Sequence, residues 1–473
     1  MKKLCSARKV LASQLNWVSI VLYTVVYGFI WYEVYYELVF TWNRTAFWQK
    51  GNWLMIGIYA LLFYLFSRVF EGNNMGYYKA LDTFLAEAWT ILCVNTLTFL
   101  QIALIAVWPV RDWSGKLLPM VYATLVDLVI AIIWSVLSQR IYRTVFPPRK
   151  LLLIHGDRPI DGILEKIESR KDRYLIKKCI NVKEGIHNLK KEAALGYEGV
   201  LLWDIPDKAR NVLLKYFYSR SIRVYLMPKI SDVLVKGSGP LHLFDTPIYM
   251  IREYSLTFGQ RFAKRTIDIF CCVILLAITS PIILLAALAI KLYDGGPILY
   301  KQIRCTINAR EFNILKFRSM RVDAEKDGIA RMASKNDDRI TPIGKFIRKV
   351  RIDELPQLIN ILKGDMTFIG PRPERPELIN EYMDEMPEFA FRMKVKAGLA
   401  GYAQVYGQYN TTPYDKLKLD LTYIEKYSVS LDLKLMLLTL KILFKPESTE
   451  GVEENQVNAL RQSLDEYETD NLD

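Results

Sequence analysis

The 473-residue chain has little of what builds metal centres or disulfide frameworks. Its three histidines, His155, His187 and His242, are scattered, and its six cysteines show no C-x-x-C spacing. Cys271 and Cys272 lie inside an apolar run. This argues against a histidine or thiolate metal site and suits a reduced, cytoplasm-facing protein. A G-x-G-x-x-G dinucleotide fingerprint is also missing. No signal-peptide cleavage pattern follows the first apolar stretch, so that stretch is expected to be retained. What the chain has is apolar mass, with 51% hydrophobic residues beside 24% charged ones. It therefore mixes lipid-buried with soluble segments, in two or three units. A net charge of +13 suits anionic head groups, phosphorylated substrates or nucleic acid, and composition does not choose among them.

Four apolar stretches fill the first third, at about residues 15–40, 53–70, 84–107 and 117–137. Each approaches the roughly 20 residues a helix needs to cross ~30 Å of hydrocarbon. Glu33 and Glu37 end the first, among Trp31, Tyr32, Tyr35 and Tyr36, a pattern expected of an interfacial aromatic belt. Lys2, Lys3, Arg8 and Lys9 precede the first stretch, and Arg140, Arg143, Arg149 and Lys150 follow the fourth. The positive-inside rule then puts both ends of a four-span bundle in the cytoplasm. From Lys150 the texture changes. KLLLIHGD, YLIKKCINV, GVLLWDIP and IRVYLMP read as buried parallel strands separated by helices, a Rossmann-like α/β unit. His155-Gly156-Asp157 stands where the fingerprint would be, so a structural or regulatory module is expected rather than a cofactor domain. Past Pro446 the chain carries nine acidic residues and one basic one, and reads as a solvated, largely disordered tail.

The 22-residue run Ile269 to Ile290 is long enough for a fifth span. Arg261, Lys264 and Arg265 before it and Lys291 after it favour the same face for both ends. At its middle Ser280-Pro281 removes the helix bond to the Ala277 carbonyl, which a serine hydroxyl can replace. The expectation is a helix-break-helix that dips into the bilayer and returns. Near the end, residues 430–445 set Lys434, Lys441 and Lys445 among leucines, fitting an interfacial helix or equally a core helix of a soluble domain.

The chemistry concentrates in RKVRIDELPQ, residues 348–357, where Asp353 and Glu354 follow a stretch whose ionisable residues are all basic. Read alone, an Asp-Glu pair is an ordinary helix cap. Around it stand KFRSM with Lys316 and Arg318, Arg348 and Arg351, and Gly370-Pro371-Arg372-Pro373. Such a cradle, with a divalent cation, can gather several phosphate charges into one site. Prolines on both sides would hold Arg372 stiffly for bidentate phosphate binding.

These motifs, with KAGLAGYAQVYGQYN, make residues 261–445 resemble the bacterial sugar transferases, monotopic phosphoglycosyl transferases. The four-span start with a Rossmann-like insert resembles the long form of that family, which initiates capsule or exopolysaccharide units. The resemblance implies transfer of a hexose-1-phosphate, glucose or galactose, from a UDP-sugar to undecaprenyl phosphate, with release of UMP. Asp353 would be the nucleophile that forms an aspartyl-phosphosugar, and Glu354 would help bind Mg²⁺ with it. Cations nearby are expected to keep both carboxylates ionised, and a helix starting near Asp353 would aim its amides at phosphate. Lys316, Arg318, Arg348, Arg351, Arg372 and Gln404 would contact substrate, and Ser280-Pro281 would mark the re-entrant break. Gln408 stands where many members have arginine, which leaves that loop's contacts open.

The expected architecture is thus a four-helix transmembrane domain (1–145), a Rossmann-like cytoplasmic domain (146–255) and an α-rich monotopic catalytic domain (256–446). The catalytic domain has a re-entrant helix at about 267–291, and an acidic tail (447–473) follows it. Expected partners are UDP-sugar, undecaprenyl phosphate, membrane lipid and a second copy in a homodimer, with no nucleic acid. The expected location is the bacterial inner membrane with the catalytic domain in the cytoplasm. Two alternatives stay open: a non-catalytic scaffold binding anionic lipid, and direct attack by the lipid phosphate without an enzyme intermediate.

Overall fold

The computed structural model describes residues 2–43, 49–243, 246–251, 255–321, 339–407 and 411–443. They fall into two compact units divided after Met227. Gln408 and the acidic tail lie outside the described residues.

In the first unit, α1 (Lys2–Ile30) passes through a π-helical turn (Trp31–Tyr35) into α2 (Tyr36–Asn43), followed by α3 (Gln49–Val69), α4 (Ala80–Ile105) and α5 (Trp113–Val145). The four expected apolar stretches are all helical, and all are long and apolar enough to cross a membrane. Large apolar side chains such as Val25, Phe29, Leu104 and Ile133 face outward, as lipid contact requires. The aromatic belt is only partly what the sequence suggested. Trp31 and Tyr35 turn into the bundle core, where Trp31 donates to Asn52 (3.1 Å) and Tyr35 to the Lys116 carbonyl (3.0 Å), while Tyr32 stays exposed. A buried indole or phenol needs such a partner, and the bundle supplies one.

The α/β part follows with β1 (Arg149–His155), α6 (Asp161–Glu168), β2 (Tyr174–Asn181), α7 (Ile186–Ala193), β3 (Gly199–Trp203), α8 (Asp207–Ser219) and β4 (Val224–Leu226). All four apolar runs are strands of one parallel sheet, ordered β2-β1-β3-β4. It is anchored to one end of the bundle: Arg170 and Arg173 donate to the Tyr77 carbonyl, and Arg8 to that of Pro147. The start of α1, the α3–α4 connection and the end of α5 therefore share one face. That is the geometry of four antiparallel helices with both ends on one side. Some of the basic residues read as membrane flanks are interior ties, since Arg8 and Arg149 are buried.

The second unit begins earlier than the boundary at 255. The sheet ends at Leu226, and α9 (Ile230–Gly237) buries Ile230 and Val233 in the same core as Leu417 and Leu421 much further along the chain. A hairpin of β5 (Gly239–Leu243) and β6 (Thr246–Met250) precedes α10 (Phe258–Asp294). Then come the antiparallel pair β7 (Leu299–Cys305) and β8 (Glu311–Phe317), α11 (Pro342–Lys349), α12 (Gln357–Lys363), β9 (Thr367–Ile369) and α13 (Pro376–Glu385). The unit closes with β10 (Gly398–Ala400), parallel to β9, and α14 (Tyr402–Tyr406), α15 (Pro413–Glu425) and α16 (Val429–Leu443).

The expected break in the apolar run is not a break in the helix: α10 is continuous, with Pro281 inside it. The Ser280 hydroxyl donates to the Ala277 carbonyl (2.9 Å), the acceptor that proline leaves empty, so the ladder survives. Its basic flank is also interior. Lys264 is buried, bonding the Ile369 carbonyl, Tyr423 and Asp432, and Arg265 donates to the Ile361 and Leu362 carbonyls at the end of α12. α16 resolves as a core helix, with Leu435, Leu438 and Asp432 buried.

Lys264→Met removes the only cation within ion-pairing distance of Asp432 among the described residues. Thermal unfolding in detergent should show a loss of about 3–5 kcal/mol, the usual cost of an orphaned buried charge. A midpoint equal to wild type would deny the network a supporting role.

Candidate functional site

The site is built where α11 hands over to α12. Thr341 caps α11, accepting from Gly344 N at 2.9 Å, and Pro342 occupies the first turn. Gly344 lets α11 sit against the chain leaving β8, because a Cβ there would lie 1.9 Å from the Ser319 carbonyl oxygen. After α11 the chain reverses through Arg351, held at φ +55°, into a single 3-10 turn, Ile352–Glu354. A non-glycine residue in that region stores strain and persists only where its surroundings impose it. α12 starts only at Gln357, and neither acidic side chain caps it. The helix expected to begin at Asp353, with the pair as its cap, is thus replaced by a tighter turn ahead of Pro356. The turn is pinned from behind by Asn360, whose amide donates to the Asn313 carbonyl (2.8 Å) and accepts from Leu315 N (3.0 Å). That contact brings Lys316 of β8 opposite Glu354.

The two neighbouring carboxylates have different surroundings. Glu354 accepts from Arg372 at 2.7 Å, with Lys316 at 3.6 Å and Arg351 at 4.0 Å. Among the described residues Asp353 makes no hydrogen bond or ion pair. Burial pushes the Glu354 carboxyl up, but Arg372, Lys316 and Arg351 together hold it down, at about 2. Asp353 goes the other way: burial and the Glu354 charge outweigh Lys316, Arg348 and Arg372 and push it up to about 6. The cations do not serve both acids equally, because the geometry points them at Glu354. Asp353 remains mostly ionised at neutral pH and is left without a partner.

Arg372 is fixed at both ends. Its guanidinium holds Glu354, and its own carbonyl accepts from Arg392 at 2.9 Å. Gly370 packs so closely on the opposing strand that a Cβ would lie 2.4 Å from the Lys396 carbonyl oxygen. Gly370 N donates to the Ala400 carbonyl (2.8 Å), and Gly398 N to that of Pro371 (2.9 Å). Behind this turn lies a second buried ion network that motif reading missed. Glu374 faces Lys416, Arg392 (3.6 Å) and Arg304 (3.6 Å), and Arg392 also pairs with Asp420 (2.9 Å). Burial raises the Glu374 carboxyl and these cations more than compensate, holding it at about 2. Glu374 could have been flagged by its place after Pro-Arg-Pro; its partners come from β7, α15 and the segment after α13, with no local signal.

Of the expected site residues, Lys316, Arg348, Arg351 and Arg372 gather around the carboxylates. Arg318 does not. β8 ends at Phe317, so strand alternation no longer keeps positions 316 and 318 on one face, and Arg318 instead pairs with Asp294 at the end of α10. Gln404 sits on α14, with both amide atoms buried and unpartnered. Ser280 and Pro281 lie within α10, away from the carboxylates in sequence and in role. Comparison with known proteins gives residues 259–446 as a bacterial sugar transferase domain. An uncharacterized sugar transferase of Bacillus subtilis is 36% identical over 199 residues, 42% of this chain and 94% of that protein.

The chain belongs to the bacterial sugar transferase family.

A second member, the UDP-glucose:undecaprenyl-phosphate glucose-1-phosphate transferase of Caulobacter vibrioides, is 38% identical over 190 residues, 39% of this chain and 71% of its own. A UDP-N-acetylgalactosamine-undecaprenyl-phosphate N-acetylgalactosaminephosphotransferase of Aeromonas hydrophila is 37% identical over 225 residues, 47% of this chain and 52% of its own. The chain thus spans about half the length of longer relatives such as this one. The family domain contains α10 and every element of the carboxylate–cation site.

Hard carboxylate oxygens beside a diphosphate are a usual setting for Mg²⁺, which takes one or two carboxylates and completes its shell with phosphate and water. Among the described residues the Asp353 carboxylate has no partner and Oε2 of Glu354 pairs with Arg351 alone, so the donor set fits such an ion. No group of three acidic, histidine or cysteine side chains that could hold an ion unaided exists among the described residues.

The raised Asp353 carboxyl makes a prediction about stability. Well below about pH 4 the group is protonated in both folded and unfolded chains, and Asp353→Asn should change little. As pH rises towards about 6 the unfolded chain ionises first, and the wild type loses stability. At pH 8 the asparagine variant should be the more stable, by on the order of 2 kcal/mol. Thermal midpoints at the two pH values check this; a variant less stable at pH 8 would mean the cations dominate after all.

Proposed function

We propose that the protein is a phosphoglycosyl transferase that moves a hexose-1-phosphate from a UDP-sugar to undecaprenyl phosphate. The observation that carries this reading is the division of labour at residues 353 and 354: one carboxylate locked in a cation cradle, its neighbour ionised and unpartnered. An uncommitted anion that approaches other anions is suited to nucleophilic attack on phosphorus, provided cations neutralise the phosphate. Asp353 attacks the β-phosphorus of the donor. The bond from that phosphorus to the bridging oxygen breaks, and UMP leaves with the electron pair. An oxygen of the lipid phosphate then attacks the same phosphorus and frees the Asp353 carboxylate. Lys316, Arg348 and Arg372 bind and orient the phosphates during both displacements, and Gln404 offers its unpartnered amide to the donor. Mg²⁺, held by Glu354 and Asp353 with the donor phosphates, would supply further charge neutralisation.

The acceptor is a membrane lipid, so the site has to sit at a bilayer surface. α10 supports this. Its outer side carries Phe258, Phe262, Phe270, Ile278, Leu284, Leu285 and Leu292, all strongly exposed. Both its halves touch the same unit: Lys264, Asp268 and Cys272 near the start, Ala286 and Ile290 near the end. A straight crossing would carry the second half away from the domain that holds the first. We therefore read α10 as entering and leaving one leaflet, bent at Ser280-Pro281, with the catalytic unit on the cytoplasmic face of the inner membrane. A purely lipid-binding scaffold would leave the free Asp353 and the held Glu354 without a purpose.

The test is UMP release from a set of UDP-sugars by the purified protein with Mg²⁺ and undecaprenyl phosphate. UMP should appear with at least one donor, and Asp353→Asn should abolish it. The acid limb of kcat/KM should fall off near pH 6, as Asp353 takes up its proton. Undiminished turnover in the asparagine variant would remove the covalent route. Trapping labelled sugar-phosphate on the protein separates it from direct attack by the lipid.

A further inference from the structure

A narrow crevice beside the carboxylates is lined on one side by Arg304, Lys316 and Arg372 and on another by Gly398 and Leu399. Gln357, the first residue of α12, also lines it. The residue is only 3% exposed, and its amide, which makes no hydrogen bond among the described residues, keeps a little access at the crevice. A buried carboxamide without partners is costly, and native structures retain one mainly where something else completes it. Asn360, one turn further on, shows the ordinary case, since both ends of its amide are engaged by β8.

We propose that Gln357 recognises the hexosyl group of the donor and helps decide which UDP-hexose is accepted. This rests on the function proposed above. Among the polar side chains of the crevice Arg304, Lys316 and Arg372 are cationic and Gln357 alone is neutral, so phosphate oxygens have three better partners there, and the amide is left for a neutral polar group. Position narrows the choice. Gln357 opens α12 three residues after the 3-10 turn that carries Asp353 and Glu354, and it shares the crevice with Lys316 and Arg372, the two cations that hold Glu354. Asp353 acts on the β-phosphate, which carries the sugar directly. The uracil lies beyond a second phosphate and a ribose, out of reach of so short a side chain. A carboxamide both donates and accepts, matching a sugar hydroxyl, which does the same.

The experiment compares kcat/KM for UMP release from UDP-glucose, UDP-galactose and their N-acetylhexosamine counterparts, in full-length wild type, Gln357→Leu and Gln357→Glu. Gln357→Glu keeps the length and an acceptor, so it carries the test if the leucine variant melts early. The wild type should prefer one donor, and both variants should shrink that preference about tenfold, the range expected for one lost neutral hydrogen bond. Inhibition by UMP, which lacks the sugar, should stay unchanged. Equal use of all donors by the wild type, or an equal fall for every donor in the variants, overturns the assignment of Gln357. Absence of UMP from every donor in the wild type overturns the transferase reading itself, and the Gln357 assignment with it.

Discussion

The bidentate-capable guanidinium of Arg372 against Glu354 is the contact on which the rest of the site depends. Two adjacent acids in a poorly solvated turn would repel one another and drift together towards protonation. Anchoring one of them to Arg372, with Lys316 and Arg351 behind it, fixes its charge; that charge, with burial, lifts the other to about 6. The sequence pair Asp-Glu is symmetric in chemistry, and the fold makes it asymmetric. Only the asymmetric form has one group free to react and one group to organise cations.

That asymmetry has a structural foundation at some distance from the acids. Arg372 is anchored through its main chain, because its carbonyl is tied to Arg392, and Arg392 is held in turn between Glu374 and Asp420. The turn carrying Asp353 is anchored too, since Asn360 fastens α12 to β8 and Arg351 adopts a left-handed conformation. Preorganisation of this kind requires some groups to remain unsatisfied, as Asp353, Gln357 and Gln404 do, and functional sites are where such departures from ideal stability collect.

How much of this could be read from the chain varied with the range of the cause. The four parallel strands were legible because each is a short apolar run closed on both sides by polar helical sequence, but only the central β1 and β3 are largely buried as expected, while β2 and β4 at the sheet edges are mostly half-buried or exposed. The four apolar helices were legible for a similar reason. The cation cradle was visible as composition, but not its aim: Lys316 and Arg318 look equivalent in KFRSM until the strand is seen to end between them. Trp31 and Tyr35 read as interfacial because their inward partners, Asn52 and the Lys116 carbonyl, come from other helices. The Glu374 network was invisible for the same reason, since its members are joined only by folding.

Lys264 and Arg265 sharpen the lesson for membrane topology. Charges flanking an apolar run normally report which side of a bilayer they prefer. Here Lys264 is an interior cation, bridging α10 to β9, α15 and α16, and Arg265 covers the open carbonyls of α12. They bind the apolar helix to the catalytic unit directly, without reference to lipid. Together with the packing of Ala286 and Ile290 against Phe317 and Ile347, they make α10 part of the domain along its length. A helix so attached places the Asp353 turn at a fixed height relative to its own lipid-facing side. The reaction proposed above, between a soluble diphosphate and a phosphate confined to a bilayer surface, requires such a fixed height, and interior ion pairs meet that requirement more rigidly than surface charge could.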